Sequence, residues 1–245
     1  MTSDALPEVF ESSSRSPCNN LGQKVSCKAK AARWASSEAA LYDPKGERKY
    51  LNRDERARVL NVMDTLDPAK SLFALVLAWT GARVSEVLAL TPASFQLDSS
   101  VVTIVTLKRR KPSIREVPIP PSLMAKLERV FALRRMQQSG VVVQRLWPWC
   151  RVTAWRLIKK VMALAQVTGR GACPRGLRHG FGVGTLQSGV PLNLIQRWLG
   201  HARLTTTAIY AAACGPEELA FARQFWRSIP ASKPAPPTLR PQPCA

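Results

Sequence analysis

Acidic residues are scarce in this chain. Only 16 Asp+Glu stand against 36 Lys+Arg in 245 residues, a formal net charge of +20. An excess of that size calls for a polyanion or an acidic surface as partner, and nucleic acid is the usual one. Charge alone leaves a nucleic-acid enzyme and a nucleoid or ribosomal protein equally open. Histidine is scarcer still: His179 and His201 are the only two, too few for the common zinc ligand sets. The six cysteines (Cys18, Cys27, Cys150, Cys173, Cys214, Cys244) form no CxxC pair. That scatter, at this length, argues against a disulfide framework and fits a reducing compartment. The longest apolar run, Leu72–Trp79, falls far short of the roughly 20 residues a membrane-spanning helix needs. Met1–Pro7 shows no basic stretch followed by an apolar one, so no secretion signal is expected. Apolar residues nevertheless make up 46 %, enough for a sizeable core. These features predict a soluble, cytoplasmic, nucleoid-associated protein.

Three regions are expected. Residues 1–48 form a basic arm, broken by Ser12–Ser14 and Pro17, with one short helix over Ala29–Leu41. Residues 49–228 form the folded domain, with order beginning near Tyr50. Residues 229–245 form a Pro-rich, disordered tail. Within the domain, Asn52 and Glu55 make a capping box ahead of a helix carrying Val59, Leu60 and Met63. Pro68 closes that segment. A second helix, Ala69–Thr80, is apolar all round and therefore buried. Gly81 interrupts it, and Arg83–Leu90 resumes a helical pattern. The β-branched run Val101–Leu107, a basic turn 108–113 and Ile114–Ile119 predict a hairpin with a cationic tip, extended by a short strand at Phe95–Leu97. Helices follow: Leu123–Met136 capped by Ser122; Thr153–Val167 with Trp155, Ile158, Met162 and Ala165 inward; one from near Leu177 to Gln187; and Leu192–Leu199 with Leu192, Ile195 and Leu199 inward. Gly215-Pro216-Glu217-Glu218 opens a last helix, with Leu219, Ala222, Phe225 and Trp226 on one face. The fold class is α+β, mostly helical, with a small antiparallel sheet.

Five short motifs stand in order: TGARVSE (80–86), the lysine of TLKRRK (106–111), PRGLRH (174–179), LGH (199–201) and TTTAIY (205–210). Arg178 and His201 are 23 positions apart, and Tyr210 follows His201 by 9. Singly each has an ordinary explanation. Arg83 fits a helix end, Lys108 a solvated charge, His201 a helix cap and Tyr210 a half-buried helix residue. Together, over about Leu51–Trp226, they resemble the tyrosine recombinases (phage integrase family).

That resemblance implies a catalytic domain that cuts and rejoins DNA. Arg83 and Arg178 hold the non-bridging oxygens of a phosphodiester, where attack at phosphorus builds negative charge. Tyr210, the only tyrosine after Tyr50, attacks phosphorus and forms a 3′-phosphotyrosyl link. A phenol with an ordinary pKa near 10 is a poor nucleophile, and the neighbouring cations are expected to lower it. Lys108 on the hairpin is the general acid for the departing 5′-oxygen, with Lys111 as its rival. His201 hydrogen-bonds a phosphoryl oxygen. His179 supports by packing, and Glu86 orients Arg83. The family's usual histidine three residues before the second arginine is Arg175 here, which can hold a phosphate oxygen but cannot serve as a base. Arg109, Arg110 and Lys111 are expected to bind DNA. No metal or other cofactor is implied.

The resemblance also implies double-stranded DNA with inverted-repeat sites as substrate. It implies a homotetramer on DNA, a monomer or weak oligomer when free, possible accessory DNA-binding proteins and no membrane. About 48 residues precede the first expected catalytic-domain helix, too few for the family's helical clamp domain. The layout is therefore expected to be catalytic-domain-only, similar to recombinases that invert fimbrial promoter segments. The last helix is expected to dock on a neighbouring protomer or on its own chain. Two other functions compete: DNA relaxation of the type IB topoisomerase kind, and a non-catalytic DNA-binding accessory role.

Overall fold

The computed structural model describes residues 40–107 and 113–212 and the single positions 219, 222, 223 and 227. All described regular elements lie in the unit Leu41–Ala245. The order is α1 (Arg53–Asp64), α2 (Pro68–Thr80), α3 (Val84–Val87), β1 (Phe95–Gln96), β2 (Val101–Thr106), β3 (Ser113–Pro118), α4 (Pro121–Phe131), α5 (Leu133–Gln138), α6 (Arg151–Leu164), α7 (Pro174–Gln187), α8 (Leu192–Leu199) and α9 (Thr205–Ala208), with a 3₁₀ turn at Ile209–Ala212. Mostly helix with one three-stranded antiparallel sheet, it is the expected α+β class. No described helix is long and apolar enough to cross a membrane.

The entry into α1 is set by sequence. Asn52 accepts from the Glu55 N–H at 2.8 Å and Glu55 accepts from the Asn52 N–H at 2.9 Å. This reciprocal box satisfies two otherwise orphaned donors. Helix α2 is the hub of the core, with Leu72–Ala78 buried along its whole circumference. Trp147 closes the far side. It is fully buried, packs edge-on against Phe73 and Phe131, and donates its indole N–H to the Ala69 carbonyl at 2.9 Å.

Gly81 ends α2 with φ +59, where its N–H bonds the Leu77 carbonyl at 3.1 Å. A Cβ there would lie 2.5 Å from the Phe181 ring and 2.9 Å from Leu199 Cδ2. Only glycine supplies both this left-handed turn and so close an approach of α7 and α8. The sheet runs β1-β2-β3, pairing Phe95 with Val102 and Thr106 with Ser113. Val102, Ile104, Thr106, Arg115 and Val117 point inward, so one of the five inward positions named is a basic residue.

Several details depart from the sequence-based expectations. Ordered structure starts ahead of Tyr50: Leu41 is buried and Tyr42 bridges to Arg48. The expected helix 123–136 is two helices, because Ala132 adopts φ +52. On α6 the inward face is Ala154, Ile158, Val161 and Met162, while Trp155 is 48 % exposed. Leu192 is only half-buried. The arm helix up to residue 39, the hairpin tip 108–112 and the Pro-rich tail lie outside the described residues. So does most of the helix opened at Pro216, where Leu219 is exposed and Ala222 half-buried.

Candidate active site

Arg178 sits mid-way along α7, buried, with its guanidinium spread between two carbonyls. Nη1 donates to Gly81 O at 2.6 Å and Nη2 to Leu199 O at 2.7 Å. One side chain therefore straps the turn two residues before Arg83 to the helix end two residues before His201. Burial, then the charge of Arg83, pull its pKa to about 10, still cationic at neutral pH. Arg83 sits at the N-terminus of α3, 30 % exposed, donating Nη1 to Glu86 Oε1 at 2.8 Å. Glu86 has no solvent exposure and also takes Arg115 Nη2 on Oε2 at 2.6 Å. Burial pushes the Glu86 pKa up, but the hydrogen bond and charge of Arg115, followed by Arg83, outweigh it and hold the carboxyl ionised.

Tyr210 is fully buried, among Leu41, Tyr50, Phe181, Ile195 and Leu199. Its ring stacks on His201 with centroids 6.3 Å apart at 18°. Its hydroxyl lies 3.4 Å from His179 Nδ1. Gly182 makes the slot: a Cβ there would stand 2.4 Å from Tyr210 Cζ. Burial drives the phenol pKa up to about 12, against the opposing pull of Arg178 and Arg83. This reverses the expectation of a lowered value, since desolvation of the phenolate exceeds the effect of two nearby cations. Two pH units correspond to about 3 kcal/mol against ionisation.

His201 follows the Gly200 turn and faces Thr207 Oγ1 at 2.9 Å through Nδ1. Burial first, then Arg178, Arg83 and other neighbouring charges, lower its pKa to about 3. His179 is lowered to about 4 by burial and by Arg178, Arg175 and Lys49. Both rings are neutral at physiological pH. The Thr207 hydroxyl can donate to Nδ1 or accept from it; in the tautomer where it donates, the proton of neutral His201 resides on Nε2.

The structure thus brings Arg83, Arg178, His201 and Tyr210 to one place. Arg175 is exposed on the first turn of α7, one helical turn before His179. Lys108, Arg109, Arg110 and Lys111 lie outside the described residues; the hairpin that carries them is rooted at the Thr106–Ser113 pair. Two features escaped sequence reasoning. One is the contact of His179 with the Tyr210 hydroxyl. The other is Arg115, whose signal was its inward register on β3. Among the described residues no group of three or more His, Cys, Asp or Glu is placed to hold a metal ion. Chemically, the cluster is two guanidiniums, a neutral imidazole and a phenol, a set suited to holding an oxyanion beside a nucleophile.

The sequence model of the Phage integrase family matches residues 49–214. Tyrosine recombinase XerA of Pyrococcus horikoshii is 32 % identical over 174 residues, which cover 68 % of this chain and 58 % of XerA. A crystal structure of XerA recombinase superposes with a TM-score of 0.59 at 25 % identity, covering 77 % of this chain and 66 % of that one. XerH site-specific recombinase bound to its difH substrate before cleavage shares the fold, with a TM-score of 0.57 at 19 % identity over 86 % of this chain and 67 % of that one. The chain spans less than two thirds of the length of XerA. A match that takes in every described motif, joined to a fold shared with solved recombinases, places the chain in the phage integrase family of tyrosine recombinases.

Proposed function

We propose that the chain is a site-specific DNA recombinase that cuts and rejoins duplex DNA through a 3′-phosphotyrosyl intermediate. The observation that carries this is the grouping of Arg83, Arg178 and His201 about the phenol of Tyr210. In the step proposed, the Tyr210 Oη–P bond forms as the P–O5′ bond breaks. The phenol proton leaves to solvent water as Oη is presented to phosphorus; His179 Nδ1, 3.4 Å from Oη in the buried state, has a pKa of about 4 and is too weak a base to keep it. The departing O5′ takes a proton from Lys108. Arg83 and Arg178 stabilise the charge that grows on the non-bridging oxygens, His201 Nε2–H donates to one of them, and Arg175 adds a further phosphate contact. Attack by a second 5′-hydroxyl reverses the step, returns the proton to Tyr210 and needs no external energy.

Tyr210 is buried before DNA arrives, so α9 and the 3₁₀ turn after it must shift to present Oη to phosphorus. DNA as partner follows from the family and from the substrate-bound state of XerH; inverted-repeat sites, four copies at the synapse and a monomeric free state complete the reading. Arg109, Arg110 and Lys111 at the hairpin tip track the phosphates. The test uses nicked suicide duplexes bearing candidate inverted-repeat sites taken from the DNA that flanks the gene. Wild type is expected to give a covalent adduct and Tyr210→Phe none. An adduct that persists in Tyr210→Phe removes Tyr210 from the role, and relaxation of supercoiled plasmid lacking the repeats assigns a topoisomerase instead.

A further inference from the structure

Arg115 is a buried arginine that the roles above leave unused. Its side chain is 3 % exposed, and all three of its nitrogens are engaged. Nη2 donates to Glu86 Oε2 at 2.6 Å, Nη1 to Thr106 Oγ1 at 2.7 Å and Nε to Trp198 O at 2.8 Å. These partners come from three elements that each lead into a site residue. Glu86 holds Arg83. Trp198 lies on the last turn of α8, just before the Gly200 turn and His201. Thr106 ends β2, two residues before Lys108. The fit is close, since a Cβ on Gly200 would lie 3.0 Å from Arg115 Nη1.

Charge counting gives the contact a consequence. Glu86 is a carboxylate without solvent and needs a cationic partner. Were Arg83 that partner alone, the pair would be neutral and Arg83 would offer little to an incoming anion. Arg115 meets Glu86 from the interior with the shorter bond. The trio then keeps one net positive charge, and it faces outward on the half-exposed Arg83. Arg83 is fastened to Glu86 through one guanidinium nitrogen, which fixes its direction and leaves the rest of the fork for a phosphate oxygen.

We infer that Arg115 is a positioning residue for phosphate recognition: through Glu86 it aims Arg83 and preserves its charge at the scissile phosphate. The inference rests on the recombinase reading. Its test compares wild type with Arg115→Met and Arg115→Lys in the full chain, by single-turnover cleavage of the nicked duplex. One duplex carries an ordinary scissile phosphate and the other a neutral methylphosphonate there. On the phosphate, Arg115→Met is expected to cleave roughly 100-fold more slowly, as for a reacting group misplaced by about an ångström. On the methylphosphonate, which has no charge for Arg83 to balance, the deficit should shrink to less than about 5-fold. Arg115→Lys, a point charge that cannot span three acceptors, should fall between the two. Equal deficits on both duplexes, no deficit on either, or loss of the folded state in both variants would overturn the role. Failure of wild type to cleave either duplex would instead count against the recombinase reading itself.

Discussion

Acidification probes the site without altering a residue, because the only two histidines of the chain both lie in it. The ordinary histidine pKa is 6.5, and the folded values are about 4 for His179 and about 3 for His201. Above pH 6.5 neither folded nor unfolded chain binds the extra proton. Below it the unfolded chain binds and the folded one does not. Stability is therefore complete above pH 6.5 and is lost as the pH falls toward the folded values. Each histidine contributes a slope of about 1.4 kcal/mol per pH unit. Because that slope is only half developed at pH 6.5, the two together cost about 3 kcal/mol from pH 6.5 to 5, above most carboxylate titration, and somewhat less after screening at the partly exposed His201. That is a large part of the roughly 5–15 kcal/mol holding a domain folded. Urea unfolding at pH 8, 6.5 and 5 measures the slope, and the two imidazole Hε1 resonances report each ring. Neither resonance should titrate between pH 8 and 5, and His201→Asn should remove about half of the slope. A ring titrating near 6.5, or an undiminished slope in the His179→Asn/His201→Asn double variant, would refute the desolvated, neutral site.

Three further outcomes follow from the same geometry. Gly182→Ala gains up to about 1 kcal/mol of helix propensity but drives a methyl into the Tyr210 ring, an overpacking cost of about 1–3 kcal/mol; a thermal melt should show a net fall in Tm, and an unchanged or higher Tm contradicts the slot. Arg178→Lys cannot reach both Gly81 O and Leu199 O while presenting a fork to phosphate; adduct formation should drop by at least roughly 100-fold while gel-shift affinity stays close to wild type. Thr207→Val removes the partner of His201 Nδ1, a hydrogen bond of about 1 kcal/mol; imidazole ¹⁵N shifts should report mixed tautomers and cleavage should slow by several-fold.

Features that depend on local sequence were legible without coordinates. The Asn52–Glu55 box, the Gly81 break, the β-branched strands and the order of the five motifs all follow from nearest neighbours in the chain. Features decided by tertiary contact were not. Trp155 lies at helical spacing from Ile158 and Met162, yet the face that meets the core is turned toward Ala154. An arginine between Ile114 and Glu116 looks like the solvent side of a strand, and only the pairing with β2 turns Arg115 inward. Tyr210 reads as a half-buried helix residue because nothing next to it in sequence reveals that Gly182, 28 positions earlier, opens a slot for its ring. The same burial reversed the direction expected for the phenol pKa. The cations are where the motifs put them, but the depth of the pocket could not be seen.

The most direct measurement is to locate the DNA linkage on the protein. The adduct from the suicide duplex is digested with trypsin and nuclease and the nucleotide-bearing peptide is sequenced by mass spectrometry. Cleavage after Arg203 and Arg223 releases one peptide containing Tyr210 and no other tyrosine. A 3′-phosphonucleotide on Tyr210 of that peptide is expected. A nucleotide on any other residue, or a 5′-linkage, would contradict the 3′-phosphotyrosyl intermediate.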